Sequence, residues 1–213
     1  MFLIKFIPAK ILSLQSRKPS GIIGRYLMTK AFNTGNVDLN YFVKETLNIQ
    51  GKDRILEIGF GTGKLINEMA DNITEGVVEG IDFSETMLKH AIKANKVHIA
   101  KGKVSLKNVE CSTLPFDSET FDKLCSVNTL YFWKEPKKYF NELFRVINHG
   151  GKIVIGFRDR NQLNNLPLNL DTFNTYSQDD VVKILLDAGF SDAHIVEKEG
   201  IPFISYCAVA TKA

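Results

Sequence analysis

The sequence contains few cysteines, and they are not spaced as metal ligands or as a disulfide framework. It has three, Cys111, Cys125 and Cys207, and no two of them form a C-x-x-C pair. Closely paired cysteines are the usual signature of structural zinc sites and of small disulfide-rich domains. The histidines also lack the spacing of metal ligands. We therefore expect no metal site, and the unpaired cysteines favour a reducing, cytoplasmic compartment.

Long apolar runs and several common catalytic motifs are also missing. No apolar run approaches the roughly 18 residues that a membrane-spanning helix needs. There is no G-x-x-x-x-G-K phosphate-binding loop, and nothing resembles a Ser/His/Asp triad. With 213 residues, of which 44% are hydrophobic and 24% charged, the chain has the size and composition of one α/β domain with an appendage.

Acidic residues are absent from the first 30 positions, which carry six basic ones. Because the formal net charge of the whole chain is only +3, the remainder is net acidic, and no nucleic-acid partner is predicted for it. The opening, MFLIKFIPAKILSL, is apolar but interrupted by two lysines and a proline, and no small-residue cleavage site follows. A signal peptide is therefore not predicted. Three interpretations stay open: a helix docked over the core or active site, an interfacial helix through which residues 1–20 contact a membrane, and an organellar transit peptide.

Apolar periodicity divides the rest of the chain into N-terminal helices followed by alternating strands and helices. Helical stripes cover residues 22–27 and 39–47. From Arg54 onward strand-like runs alternate with helical stripes, which predicts a doubly wound sheet of parallel strands. Ser84 and Ser177 are predicted helix N-caps, and the glycines after His149 are predicted to end a helix before the fifth strand. The predicted strands cover residues 54–58, 76–82, 103–109, 121–127, 152–157, 194–196 and 203–210.

The first strand leads into a glycine-rich turn. Gly59, Gly61 and Gly63 form G-x-G-x-G between this strand and a helix, at the position where an open parallel sheet binds nucleotide-like ligands. A dinucleotide fingerprint has its third glycine five residues after the first, where this chain has Lys64. Glu57 stands two residues before the first glycine. Its charge would repel a pyrophosphate but suits a ligand that carries positive charge.

This stretch resembles motif I, E-x-G-x-G-x-G, of the class I S-adenosylmethionine-dependent methyltransferases of the small-molecule, UbiE-like type. The cofactor of that family carries both an ammonium and a sulfonium group. The resemblance implies a Rossmann-like, doubly wound, seven-stranded sheet, mostly parallel with an antiparallel last strand, plus N-terminal helices. It also implies that residues 1–50 form a helical lid or cap and that residues 51–213 form the catalytic domain.

Further segments resemble cofactor-binding motifs of the same family. Asp82 ends the second strand, where an acidic residue binds the ribose hydroxyls in Rossmann-like sheets; a helix cap is the alternative. Glu110 and Cys111 begin a segment similar to the family's G-D-A-x-x-L-P-F, whose acidic residue contacts adenine. Here glutamate replaces aspartate and cysteine replaces alanine, and a small buried residue is the alternative for Cys111. The cofactor-binding residues that the resemblance implies are Glu57, Gly59, Phe60, Gly61, Gly63, Asp82, Phe83, Met87, Glu110, Cys111 and Asn128.

Residues 121–133, which read FDKLCSVNTLYFW, resemble motif IV of the family. This strand ends beside the methyl donor in the family, so the resemblance implies Asn128, Tyr131 and Trp133 as residues at the reacting centre. An aromatic face attracts a sulfonium cation, with core packing as the alternative for both rings. Phe132 is predicted to belong to the core. The segment lacks the N/D-P-P-Y/F tetrad of amino-directed DNA methyltransferases, which argues against a nucleic-acid base as acceptor.

The sequence therefore predicts an S-adenosylmethionine-dependent methyltransferase that acts on a small-molecule or lipid-like acceptor. No general base is evident, since the amide of Asn128 cannot take up a proton. Two rival functions stay open. One is a nicotinamide-dependent oxidoreductase on a Rossmann sheet, which the glycine spacing and Glu57 disfavour. The other is a nucleoside-binding protein without turnover, or a peripheral membrane adaptor led by the basic N-terminus.

The acceptor site is less well specified by the sequence than the cofactor site. The triplet Arg158–Arg160, which includes Asp159 and follows the fifth strand, supplies candidates, with an exposed surface position as the alternative for each. Arg25 and Tyr26, in the first N-terminal stripe, are further candidates, with ordinary packing as the alternative. The asparagine-rich stretch of residues 161–176 is longer than a simple connector needs, which favours a functional loop.

Overall fold

The computed structural model describes residues 9–19, 35–166, 173–200 and 203–213. The helical stripe predicted for residues 22–27, with its candidates Arg25 and Tyr26, lies outside these residues. So do residues 1–8 and 20 of the predicted membrane-contacting segment and residues 167–172 of the asparagine-rich stretch. The expectations for those segments stay predictions.

The described residues form strands and helices in the alternating order that the periodicity predicts. The strands are β1 (Arg54–Ile58), β2 (Val77–Asp82), β3 (Val104–Asn108), β4 (Phe121–Val127), β5 (Ile147–Phe157), β6 (Ser191–Lys198) and β7 (Ser205–Thr211). The helices are α1 (Ala9–Arg17), α2 (Val37–Leu47), α3 (Lys64–Ala70), α4 (Glu85–Ala94), α5 (Lys96–Ala100), α6 (Pro136–Val146), α7 (Arg160–Asn164) and α8 (Gln178–Asp187). One turn of 3₁₀ helix covers Leu130–Phe132.

The strands form a single seven-stranded sheet in the order β3-β2-β1-β4-β5-β7-β6. Strands β1 to β5 pair in parallel, and β7 runs antiparallel to both of its neighbours. The predicted fold class, including the antiparallel last strand, is confirmed. The strand order reverses at β1, which lies between β2 and β4. Ligands of doubly wound sheets bind at the carboxyl ends of the strands at such a reversal.

Most predicted elements are found within a few residues of their expected ends, but β5 begins earlier than expected. Helix α6 ends at Val146, and Ile147 both caps it and begins β5, so His149–Gly151 lie inside the strand and the stop predicted there is wrong. Gly150 has φ +74°, and the pairing of β4 with β5 shifts register over this stretch. A glycine pair inside an irregular strand gives the same sequence signal as a turn between two elements. Both predicted N-caps, Ser84 and Ser177, are confirmed.

Apolar side chains are buried on both faces of the sheet, as a doubly wound fold requires. On one face α2, α3 and α4 cover β-strand side chains, and on the other face α6 and α8 do so. Helix α2 buries Leu39, Val43 and Leu47. A Cβ atom at Gly156 in β5 would lie 2.5 Å from Val43 Cγ2, so α2 packs closely on the sheet. The second N-terminal stripe is therefore part of the core. No helix among the described residues is long and apolar enough to cross a membrane.

Candidate active site

The turn between β1 and α3 holds three glycines in the left-handed region, with φ of +75° at Gly59, +52° at Gly61 and +75° at Gly63. A Cβ atom at Gly59 would lie 2.4 Å from Thr129 Cγ2, and one at Gly63 would lie 2.7 Å from the Ala91 Cβ. Both positions therefore need glycine for packing as well as for backbone conformation. A Cβ atom at Gly61 would meet no heavy atom within 4 Å. Gly61 thus presents bare backbone to open space at the carboxyl edge of the sheet.

Asp82, the last residue of β2, holds this turn from the side. Its carboxylate accepts the Gly61 N–H at Oδ2, 2.9 Å away, and the Ser84 N–H at Oδ1, 2.8 Å away. The N-cap of α4 is Ser84, whose hydroxyl accepts from the Met87 N–H. Burial raises the pKa of Asp82 to about 6, against the effect of the two N–H donors. Asp82 therefore connects the glycine turn to the start of α4.

Glu57 lies below the turn and is only 3% exposed. Its Oε2 atom has no hydrogen-bond partner among the described residues. Burial, with a smaller effect from the neighbouring Asp82 carboxylate, raises the pKa of Glu57 to about 8. A buried carboxylate without a partner is costly unless a cation or donor reaches it. Glu57 is therefore suited to a ligand that brings an ammonium group.

A cavity of about 1130 Å³, open to solvent, lies along this edge of the sheet, and we call it the first cavity. Nine of the predicted site residues line it: Glu57, Gly59, Phe60, Gly61, Asp82, Phe83, Met87, Asn128 and Tyr131. Gly63 does not line it, because its backbone packs against α4. Most of the predicted cofactor site thus belongs to one cavity.

A second cavity, of about 1000 Å³, adjoins the first and shares Asp82 and Phe83 with it. It contains the predicted adenine residues Glu110 and Cys111, together with Trp133. The Tyr139 hydroxyl donates to Glu110 Oε1 at 2.9 Å, and burial together with this carboxylate raises the pKa of Tyr139 to about 12. Trp133 stacks on Tyr139 with ring centroids 5.3 Å apart. The structure therefore places Trp133 with the predicted adenine residues and not beside Asn128 and Tyr131.

Asn128 and Tyr131 form a polar network in the wall of the first cavity. Asn128 has φ +53°, and its side-chain amide donates to Asn36 Oδ1 and accepts from the Tyr131 hydroxyl, both at 3.0 Å. The Arg158 backbone N–H donates to the Tyr131 hydroxyl oxygen. Burial raises the pKa of Tyr131 above its usual value. The Tyr131 hydroxyl is therefore neutral and positions other groups; it is not available as a base.

Several cavity residues were not predicted. Phe132, expected in the core, is half-buried and lines both cavities. Arg17 of α1 also lines both, and Asn36 and Asn40, at and beyond the start of α2, line the first. The two asparagines are four residues apart, and this helical spacing on the polar side of α2 was a usable signal. Nothing in the sequence marked Arg17.

The three acceptor candidates after β5 separate in the structure. Only Arg158 lines the first cavity. The Asp159 carboxylate accepts from the Asn161 N–H at 2.8 Å and begins α7 in a capping box. Arg160 Nη2 lies 2.5 Å from Asp180 Oδ2 on α8. Asp159 and Arg160 therefore have structural partners, and Arg158 is the candidate that reaches the site.

Comparison with known proteins agrees with this geometry. A family model described as a methyltransferase domain matches residues 56–155. The uncharacterized methyltransferase YdaC of Bacillus subtilis (strain 168) is 31% identical over 180 residues, which are 83% of this chain and 93% of that protein. The ubiquinone/menaquinone biosynthesis C-methyltransferase UbiE of Geobacter sp. (strain M21) is 30% identical over 115 residues, which are 54% of this chain and 49% of that protein.

The fold also matches solved structures. The crystal structure of a SAM dependent methyltransferase from Aquifex aeolicus superimposes with a TM-score of 0.73 at 21% identity, and the match covers 86% of this chain and 96% of that one. At this identity the likeness concerns the fold, whereas the relation to YdaC extends over most of both sequences. The chain therefore belongs to the class I S-adenosylmethionine-dependent methyltransferases and uses S-adenosylmethionine as its cofactor.

Proposed function

We propose that this methyltransferase binds its cofactor across the two cavities and methylates a small-molecule or lipid-like acceptor in the first cavity. The observation that carries the proposal is the pairing of Glu57, a buried carboxylate with an unpartnered oxygen, with the open backbone position at Gly61. Together they provide a buried carboxyl group that a bound ammonium would ionise, and close backbone access on the same side of the sheet. A cofactor with a cationic amino-acid end meets both conditions.

The proposed cofactor contacts follow from the two cavities. Glu57 would hold the ammonium group, Asp82 the ribose hydroxyls, and Glu110 with Cys111 the adenine ring. When bound, S-adenosylmethionine supplies an electrophilic methyl group on a sulfonium. The Asp82 carboxylate already accepts two backbone N–H groups, and each of its oxygens has capacity for a further donor. Ribose hydroxyls would therefore add to an acceptor that is already oriented.

The protein's own contribution to the reaction is alignment and exclusion of water. The hydrogen-bonded side chains of Asn128 and Tyr131, 3.0 Å apart, would orient a polar atom of the acceptor. The Tyr131 hydroxyl is the hydrogen-bond donor in this pair and does not act as a base. The activation of a methyl group by the cofactor leaves orientation and dehydration as the remaining requirements.

The acceptor end of the first cavity is mostly apolar, which supports a small apolar or lipid-like acceptor. Phe132, Leu163, Leu166 and Phe173 line this end. The Geobacter relative is named as a C-methyltransferase of ubiquinone and menaquinone biosynthesis, and an apolar acceptor for this chain agrees with that name. Neither Asn128 nor Tyr131 can act as a base, which favours an acceptor that is already nucleophilic at the pH of the reaction.

Ligand-dependent melting separates this proposal from its rivals. We expect S-adenosylhomocysteine to raise the melting temperature, because a ligand that binds only the folded state stabilises it, and we expect no shift with NAD. Stabilisation by NAD alone would favour the oxidoreductase. If S-adenosylhomocysteine binds but no small molecule from an extract of the source cells takes up a labelled methyl group, a binding protein without turnover is favoured.

Replacement of Asp82 tests the predicted ribose contact. Asp82→Ala should weaken S-adenosylhomocysteine binding by about 1–3 kcal/mol, or roughly 5- to 150-fold, because the ribose hydroxyls would lose their acceptor. Isothermal titration calorimetry measures the change. Asp187→Ala, on the exposed face of α8 where Asp187 pairs with Lys183, is the matched control and should bind normally. Near-normal affinity in Asp82→Ala would contradict the assignment.

The described part of the N-terminal segment supports the docked-helix interpretation over a membrane role. Arg17 lines both cavities, Lys18 lies over the Phe83 ring with Nζ 5.6 Å from the centroid, and the Ser84 hydroxyl donates to the Pro19 carbonyl oxygen at 3.2 Å. We propose that this segment covers the cofactor.

Vesicle flotation of the full chain and of a variant without residues 1–20 tests the alternative, a helix that contacts a membrane. That alternative requires flotation to depend on residues 1–20.

A further inference from the structure

Arg158 places a cationic group in the wall of the first cavity, at the end away from Glu57. The guanidinium donates one hydrogen bond, from Nη2 to the Gly35 carbonyl oxygen at 3.1 Å. It also lies over the Phe203 ring, with Cζ 4.5 Å from the centroid. A guanidinium has five N–H donors, and the described residues use one of them. The group is therefore held in place while retaining donors for a ligand.

Arg158 makes no ion pair with the described part of the chain. No carboxylate there lies within 4.0 Å of its guanidinium, whereas Arg54, Arg145 and Arg160 each have such a partner. The adjacent Asp159 carboxylate is used as the cap of α7. Burial lowers the pKa of Arg158, the direction expected for a partly desolvated cation. The Asp38 carboxylate opposes this lowering from a distance, but it makes no ion pair with Arg158, so the guanidinium can still pair directly with a ligand anion.

Apolar side chains line the first cavity together with Arg158 and the polar pair of Asn128 and Tyr131. Phe132 and Phe173 approach with ring centroids 5.0 Å apart, and Leu163 and Leu166 belong to the same wall. The Asn174 N–H donates to the Tyr131 carbonyl oxygen at 2.8 Å, which fixes the chain beside Phe173. The first cavity thus combines apolar side chains with the Arg158 guanidinium, which has no carboxylate within 4.0 Å among the described residues; the cations of Arg17 and Lys64 also line this cavity.

We propose that the acceptor has an apolar or aromatic body and an anionic oxygen group, a carboxylate or a phosphate, which Arg158 binds. The inference rests on the function proposed above, since it concerns the acceptor of that reaction. Guanidinium groups pair with both anions through two parallel hydrogen bonds. An uncharged acceptor would leave the partly buried cation without an anionic partner, and a cationic acceptor would be repelled. The anion would supply the ion-pair partner that the described residues do not place within 4.0 Å of the guanidinium.

A set of naphthalene probes tests this inference in the intact protein. Saturated with S-adenosylhomocysteine, the protein is titrated with 2-naphthoate, 2-naphthyl phosphate, the uncharged 2-naphthamide and the cationic 2-naphthylmethylammonium. We expect at least one anion to bind about tenfold or more tightly than the amide, with the cation weakest. The two anionic arms distinguish a carboxylate site from a phosphate site. Arg158→Gln should abolish the preference, and Arg158→Lys should retain part of it.

Arg54→Gln is the matched control for loss of a positive charge. Arg54 also lies over a phenylalanine ring, with Cζ 5.7 Å from the Phe121 centroid, but it begins β1 and lies at the opposite edge of the sheet. This variant should keep the preference for anions. Equal affinities of the wild type for the anions and the amide, a lack of binding by all four probes, or an unchanged preference in Arg158→Gln would overturn the inference. Failure of S-adenosylhomocysteine to bind the wild type would instead contradict the proposed function.

Discussion

Glu57→Gln is expected to weaken S-adenosylhomocysteine binding by about 1.5–3 kcal/mol, the usual value of a hydrogen bond to a charged group. The same change should make the ligand-free protein more stable above neutral pH. The pKa of Glu57 is about 8 in the folded protein, so between the ordinary glutamate pKa and pH 8 the folded state keeps a proton that the unfolded chain releases. Wild-type stability therefore falls as pH rises through this range, and glutamine removes that fall.

Two measurements test the Glu57 prediction. Urea denaturation between pH 7 and 8.5 should show a decline in the wild type that Glu57→Gln lacks; this range lies above the Asp82 pKa of about 6. Calorimetry at pH 7 in buffers of different ionisation enthalpy should show proton release on S-adenosylhomocysteine binding by the wild type only, because the bound ammonium favours the charged carboxylate. Glu75→Gln, an exposed partner of Lys52, serves as the control. Proton release by both variants would remove Glu57 from the ammonium site.

Gly61→Val should lose cofactor binding while the protein remains folded. No protein atom lies within 4 Å of a Cβ at this position, so the valine side chain would occupy space next to the turn where the cofactor must approach. We expect affinity for S-adenosylhomocysteine to fall by roughly 3 kcal/mol or more, about 100-fold. The positive φ adds a stability cost of about 1–2 kcal/mol for a residue with a Cβ.

Gly63→Ala is the informative contrast to Gly61→Val. Its Cβ would lie 2.7 Å from both Ala91 Cβ and Asn95 Nδ2 and 3.0 Å from the Ala91 Cα. The main loss should be in stability, by about 1–3 kcal/mol from overpacking in addition to the φ strain, with binding per folded molecule less affected. Melting curves and titrations of both variants separate the two effects. Normal binding by Gly61→Val would mean that the cofactor does not approach the turn.

The parts of the site that were predictable are those where a local pattern determines the geometry. Glu57 and Asp82 lie at the carboxyl ends of β1 and β2, and Gly61 follows β1. The apolar runs of these strands are unambiguous, and parallel strands bring their carboxyl ends together. The start of β5 was not predictable, because the glycines that usually separate elements lie here within an irregular strand. Local signals describe a chain's tendency to turn, but the pairing partner decides whether the strand continues.

Phe132 was predicted in the core and lines the first cavity, whereas Trp133 was predicted at the reacting centre and is buried away from it. The cause of this difference is similar. Strand alternation ends at Val127, and Leu130–Phe132 forms a 3₁₀ turn, so period-two reasoning no longer tells which ring is buried. Trp133 is 3% exposed and packs on Phe140 with ring centroids 5.1 Å apart. Arg17 and Asn36 line the first cavity because the N-terminal chain lies over the carboxyl edge of the sheet. This return of the N-terminal chain is a tertiary contact that no local sequence pattern predicts.

This return of the N-terminal chain determines how large the minimal catalytic unit is. The matched domain spans residues 56–155, yet Arg17, Asn36 and Asn40 line the first cavity from outside it. Arg158 and Phe173 do so from the other end. A fragment trimmed to the matched domain would retain the glycine turn and lose several walls around it. Exchange of residues 9–47 between relatives would accordingly change the walls of the first cavity, and because α2 packs on β5 it would also change the contacts that cover the sheet.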